Sequence, residues 1–183
     1  MMQNGRLLLV PVLAAAALFG CAGTPRGLGS LALVDRLDLQ RYLGRWYEIA
    51  RFTKGFERNI VGTTAEYSLR PDGRIQVVNS GFRGGVDGPY TEAKGVAWVP
   101  DARRPAALKV SFFWPFAGDY LVFGLDQESY SWALVGSDSR DYLLFLARTP
   151  EVSDELYRQM RQMAQDQGYD LSGLDKVPQK PRS

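Results

Sequence analysis

Between Trp46 and Ala147 apolar and polar side chains alternate with a period of two, in short runs parted by Gly, Pro, Asp and Ser. The runs are Trp46 to Thr53, Thr63 to Leu69, Arg74 to Phe82, Thr91 to Val99, Ala107 to Phe113, Asp119 to Asp126, Ser131 to Gly136 and Tyr142 to Ala147. Each predicts a β-strand. Pro71-Asp72-Gly73 reads as a hairpin turn, and Asp126-Gln127-Glu128-Ser129 and Asp138-Ser139-Arg140-Asp141 as two more. Eight strands on short connections predict an all-β fold, an eight-stranded up-and-down antiparallel β-barrel, because closure removes the exposed edges. Ahead of the first strand, Asp38 to Leu43 reads as one helical turn leading into Gly44. Past Pro150 the period changes. Ser153 is placed to cap, Asp154 and Glu155 fall in the first turn, and Leu156, Tyr157, Met160, Met163 and Ala164 recur at helical spacing up to Gly168. That predicts one C-terminal α-helix packed outside the barrel. Leu171, Leu174 and Val177 add a short extended piece, and Gln179 to Ser183 reads as a frayed tail.

Alternation also sorts the walls. Trp46, two residues past Gly44, is a plug for the barrel floor, or else an ordinary core Trp of a β domain. Tyr142, Leu144, Leu146 and Arg148 share a face, so an inward last strand carries the Arg148 guanidinium to the Trp46 end; the alternative is a solvated surface Arg. The inner wall is expected to hold Ile75, Val77 and Asn79, then Ala93, Gly95 and Ala97, then Leu108, Val110 and Phe112, then Tyr120 and Val122. Small residues inside the fourth strand, with Lys94 outside, are the arrangement of a barrel that keeps a cavity. Val77 and Phe112 are therefore candidate ligand contacts. Asn79 and Tyr120 are sharper ones, since a buried amide and phenol need partners. Ordinary barrel core is the competing reading of all these positions. Glu48 shares parity with Trp46, an interior carboxylate without an assigned role.

Composition narrows the chemistry. The chain has 183 residues, net charge +2, no His and one Cys. One ordinary domain fits that length. Without His there is no His-based acid/base catalysis, no Ser-His-Asp triad and no His-ligated metal; one Cys makes neither a thiolate zinc site nor an internal disulfide. No catalytic residue, metal or cofactor is expected, and an enzyme is not. A lipid-acting enzyme would have to recruit carboxylates such as Glu48 or Asp141. Scattered basic residues, of which Arg103-Arg104 beside Pro105 is the longest pair, give no nucleic-acid footprint.

The N-terminus carries Arg6, the apolar run Leu7 to Phe19, then Gly20-Cys21, which has the layout of a signal peptide and is too short to span a bilayer. Leu18-Phe19-Gly20-Cys21 resembles the lipobox of bacterial lipoproteins, which implies lipidation of Cys21; a plain secretory signal and a buried structural Cys are the other options. Ala22 in place of Asp implies, by the same resemblance, transfer to the outer membrane, lipid-anchored with the domain facing the periplasm. The expected organisation is signal peptide 1–20, flexible tether 21–35, barrel with helix 36–178 and tail 179–183.

Taken together these features resemble the lipocalin family, and more narrowly its outer-membrane bacterial members and their relative apolipoprotein D. Gly44-Arg45-Trp46-Tyr47-Glu48 is similar to the family's first signature, Arg140-Asp141-Tyr142 to the second, and Arg148 to the third. The cysteines of the animal relatives are missing, and Leu144 stands where apolipoprotein D has an aromatic residue. The resemblance implies structural roles for Gly44, Trp46, Asp141, Tyr142 and Arg148, and pocket contacts at Asn79, Tyr120, Leu144 and Leu146. It implies a carrier of fatty acids such as palmitate, or of lysophospholipids, for lipid storage or transport in the cell envelope. An alternative is an envelope interaction module working through the aromatic stretch Phe112-Phe113-Trp114-Pro115-Phe116. Whether the chain pairs as a homodimer is left open.

Overall fold

Asp38 sets the start of the barrel: its carboxylate accepts the backbone N–H groups of Gln40 and Arg41 and caps a single turn, α1 (Leu39–Tyr42). Gly44, at φ +89°, then redirects the chain into β1 (Gly44–Phe52), a left-handed conformation that a side chain would strain. The structure, a computed structural model, describes residues 29–53 and 59–180. The proposed signal peptide, Cys21 and most of the proposed tether lie outside those residues.

Seven more strands follow up and down: β2 (Ile60–Leu69), β3 (Ile75–Arg83), β4 (Tyr90–Trp98), β5 (Ala107–Phe113), β6 (Phe116–Leu125), β7 (Trp132–Gly136) and β8 (Leu143–Ala147). Each pairs antiparallel with the next, and β1 closes the barrel by pairing with both β2 and β8. The pairing of β1 with β8 slips between Glu48 and Ala50, a bulge that reverses side-chain parity. Trp46 and Glu48 therefore point inward, Ile49 and Ala50 outward, and Arg51 inward again. A short ninth strand, β9 (Leu174–Lys176), pairs with Ala50 to Phe52 outside the barrel.

Trp46, Tyr67, Val122 and Leu146 belong to the core inside the barrel. A second core lies outside, where α2 (Asp154–Asp166), capped by Ser153, sets Met160 and Ala164 against Leu134, Leu143 and Phe145. The helix and its inward face follow the predicted spacing. Strand ends moved: β2 begins at Ile60 and β6 at Phe116, each ahead of the expected start, because hairpin pairing carries the ladder beyond the alternating stretch.

Both ends of the domain are better anchored than their composition indicates. The chain docks from Leu31, whose N–H donates to Asp138 and whose side chain is buried, so the tether expected to run to residue 35 ends earlier. From there it runs to the floor, through Val34 N–H to the Val122 carbonyl and with Leu37 joining the core inside the barrel, to Asp38, whose N–H donates to the Tyr130 hydroxyl. At the other terminus Gln179, read as frayed, donates from its amide to the backbone carbonyls of Glu48 and Thr63.

Candidate functional site

The floor of the barrel is built around Trp46, which is fully buried and donates its indole N–H to the Tyr42 carbonyl at 2.8 Å. Arg148, just past β8, places its guanidinium carbon 3.8 Å from the centre of the indole ring. Its N–H groups reach the carbonyls of Arg41, Arg45, Leu43 and Tyr130. One planar cation thus satisfies the carbonyls left open where α1 runs into β1. Burial lowers the Arg148 pKa from its usual value.

Asp141 and Tyr142 are not part of this floor. They lie in the connection between β7 and β8, at the opposite rim, where the Asp141 carboxylate accepts from the Ser137 and Ser139 hydroxyls and Tyr142 lines the interior. The connection that does meet Arg148 is the one between β6 and β7. There the Asp126 carboxylate ties the turn by accepting from Glu128, Ser129 and Ser131, and hydrogen bonding, led by the Ser131 hydroxyl, lowers its pKa. Tyr130 carries Arg41 over its ring at 4.1 Å.

Inward side chains pass from buried to partly open going away from the floor. Ile75 and Val77 are buried and Asn79 half-buried; Leu108 is buried, Val110 and Phe112 half-buried; Ala97 is buried and Ala93 exposed. The barrel is therefore closed at the Trp46 end and open at the other. Val77, Asn79, Phe112, Tyr120 and Leu144 all line the cavity, as the alternation predicts. Leu146 is inward but fully buried in the packed core, outside the cavity lining. Gly95 is buried against Phe112, whose ring leaves no room for a Cβ there.

The interior is less hollow than small inward residues indicate. Open space of about 520 Å³ includes the mouth, yet the cavity volume is only about 30 Å³. What fills it is aromatic: the hydroxyl of Tyr120 lies 2.8 Å from that of Tyr42 and 2.9 Å from that of Tyr67. Burial pushes all three phenols well above the usual tyrosine range. Three hydroxyl protons share two hydrogen bonds, so one O–H has no acceptor within the trio. Asn79 Oδ1, also buried, has no hydrogen-bond partner among the described residues.

Beside this cluster Glu48, which also lines the cavity, accepts from Arg51 Nη1 at 2.7 Å, both side chains being nearly inaccessible to solvent. Arg51 donates further to the Ile60 carbonyl and the Thr63 hydroxyl. Strict alternation from Trp46 turns Arg51 outward, so only the bulge brings it to Glu48. The site can thus offer an apolar chain a lined groove, and a polar head both a donor and an acceptor.

The aromatic stretch is a tight hairpin. Phe112 and Phe113 end β5, Phe116 starts β6, and Trp114-Pro115 make the turn. Phe113 and Trp114 are each 80% exposed and Phe116 78%, so the tip stands clear of the mouth rather than folding over it.

The lipocalin-like domain model matches residues 37–179. The outer membrane lipoprotein Blc of Escherichia coli is 45% identical over 167 residues, 90% of this chain and 93% of its own. The Vibrio cholerae protein of the same name is 40% identical over 169 residues, 92% of this chain and 96% of its own. Apolipoprotein D of Bos taurus is 35% identical over 161 residues, 81% of this chain and 82% of its own. Among solved structures, insecticyanin from the tobacco hornworm Manduca sexta superposes with a TM-score of 0.65 at 17% identity, covering 84% of this chain and 87% of its own, a likeness of fold.

Proposed function

For a chain that belongs to the lipocalin-like family, we propose the function of a lipid carrier that holds a fatty acid or lysophospholipid in its barrel, tethered to the outer membrane through an acylated Cys21 and facing the periplasm. The observation that carries the lipid reading is the apolar cleft with polar groups set in its wall: an unmet Asn79 oxygen and a spare tyrosine hydroxyl among Ile75, Val77, Leu108 and Leu144. A buried acceptor and donor are each costly until a guest meets them, so they select a head that supplies both. A lysophospholipid does so with its glycerol hydroxyl and its phosphate; a fatty acid supplies the acceptor with its carboxylate.

The cavity of about 30 Å³ does not take an alkyl chain as it stands. Entry then requires Phe112 and Tyr142, both half-buried at the mouth, to swing aside. Burying sixteen carbons at about 0.8 kcal/mol per methylene yields on the order of 12 kcal/mol, which ordering and association costs reduce to micromolar binding or somewhat tighter. The anchor rests on Gly20-Cys21 following a short apolar run, and on similarity to lipoproteins named for the outer membrane. Membership of the lipocalin-like family supports binding rather than turnover as the work of the barrel.

The test is extraction of purified protein with organic solvent and mass spectrometry of what comes off, joined to calorimetric titration with palmitate and its lysophosphatidylethanolamine. Recovery of acyl lipid and micromolar or tighter binding are expected. Empty extracts together with no heat of binding overturn the reading.

A further inference from the structure

The hairpin tip is not used by the cavity, yet Phe113, Trp114 and Phe116 place three large apolar side chains side by side in solvent. Such an exposed cluster marks a contact surface. Its place in the barrel decides which contact. β5 runs away from the floor and β6 returns to it, so the tip stands on the open rim, together with the connection between β7 and β8.

The N-terminal segment leaves the domain at that same rim. Leu31 is bonded to Asp138 in the β7–β8 connection and Ala32 to Gln167 at the end of α2, and from there the chain runs down to Tyr130 at the floor. Nine residues, 22–30, separate Cys21 from Leu31. Fully extended, they reach about 30 Å. A bilayer that holds an acyl group on Cys21 therefore lies within that distance of the rim, on the side where the aromatic tip projects.

We propose that the protein sits mouth-down on the bilayer that holds its anchor, with Phe113, Trp114 and Phe116 embedded in the lipid interface. Trp and Phe suit that depth, the indole keeping its N–H among the head groups while the rings enter the acyl boundary. The arrangement rests on the acylated-Cys21 reading above, and it makes the membrane itself the source from which an acyl chain enters past Phe112 and Tyr142. The anchor supplies retention, and the hairpin fixes orientation.

The test uses the full acylated chain in vesicles of phosphatidylethanolamine and phosphatidylglycerol, with and without bromine on the acyl chains. Trp114 is read as the difference between wild-type fluorescence and that of Trp114→Phe. Mouth-down docking predicts a blue-shifted Trp114 component that bromolipid quenches. Phe113→Ser/Phe116→Ser should return that component to a water-exposed, unquenched state. In the unacylated Cys21→Ser chain the same pair should lower vesicle partitioning by about tenfold or more. Protein retained on vesicles with Trp114 unquenched overturns the proposal, and shielding of Trp114 in cell extracts but not in vesicles points instead to a protein partner. The substitutions lie on the exposed tip, outside both cores. Palmitate titration of the wild-type chain separates the two readings: no binding with Trp114 quenched by bromolipid defeats the carrier, and intact binding with Trp114 in water defeats the docking.

Discussion

Arg148 lies face-on to Trp46, its guanidinium carbon 3.8 Å from the ring centre, while its N–H groups hold carbonyls of the turn that precedes that tryptophan. The contact joins the two ends of the barrel sequence at one point. Stacking contributes about 0.5 to 2 kcal/mol, and the part-buried carbonyls of Leu43 and Tyr130, left without their donor, add on the order of 1 to 2 kcal/mol. Arg148→Ala is therefore expected to lower stability by about 3 kcal/mol. Arg148→Lys should recover less than half of that, since one ammonium does not reproduce the planar fork. Urea unfolding of the two variants checks both values.

Glu48 and Arg51 form a nearly inaccessible ion pair. Replacing one partner leaves the other charge buried, which costs about 3 to 5 kcal/mol. Arg51→Met and Glu48→Met should each show a loss of that size. The double variant should fall well short of their sum, and a double-mutant cycle with coupling near zero would refute the account.

Tyr42, Tyr67 and Tyr120 hold their protons more tightly folded than unfolded, where a phenol loses its proton near 10.0. Below that pH both states are protonated and stability is intact. As pH rises above it the unfolded chain ionises first, so the folded state loses ground by about 1.4 kcal/mol per pH unit for each such phenol. Tyr169, raised by burial to about 12, adds to the same window. Unfolding free energy should drop steeply above pH 10, and Tyr120→Phe should make the drop shallower; a flat profile up to pH 11.5 contradicts this.

Asn79→Leu removes an amide oxygen that has no hydrogen-bond partner among the described residues. The variant should be as stable as wild type or more so, because an unmet polar group is replaced by an apolar one. Its affinity for a lysophospholipid should fall about tenfold, while that for a plain alkane probe should not change. Paired titrations read the difference.

The parts of this fold that were legible in the sequence rest on period and end signals. Trp46 and Arg148 meet because strict alternation on β8 and a turn glycine at Gly44 leave few other arrangements. Ser153, Met160 and Ala164 gave the helix and its buried face for the same reason. Asp141 and Tyr142, whose structural roles were expected from the family resemblance, lie in the turn before β8, because successive connections of an up-and-down barrel alternate ends and that turn is opposite the residue that follows the strand. Asp126 and Tyr130, one connection earlier, were therefore findable. Arg51 was not, since a bulge between Glu48 and Ala50 carries no signature in residue type. The narrow cavity was also hidden, because the tilt of Tyr42, Tyr67 and Tyr120 is a matter of rotamers that alternation does not address.

The strap from Leu31 to Asp38 has a mechanical meaning. A pull on the N-terminus loads its fastenings in succession, Asp138 first, then Gln167, then the Val122 carbonyl, before any force arrives at the turn beneath Trp46. Such fastenings unzip singly under small loads, whereas strands drawn along their length resist together. The strap thus sets three separate fastenings, and the buried side chains of Leu31 and Leu37, between a tug at the N-terminus and the sealed end of the sheet.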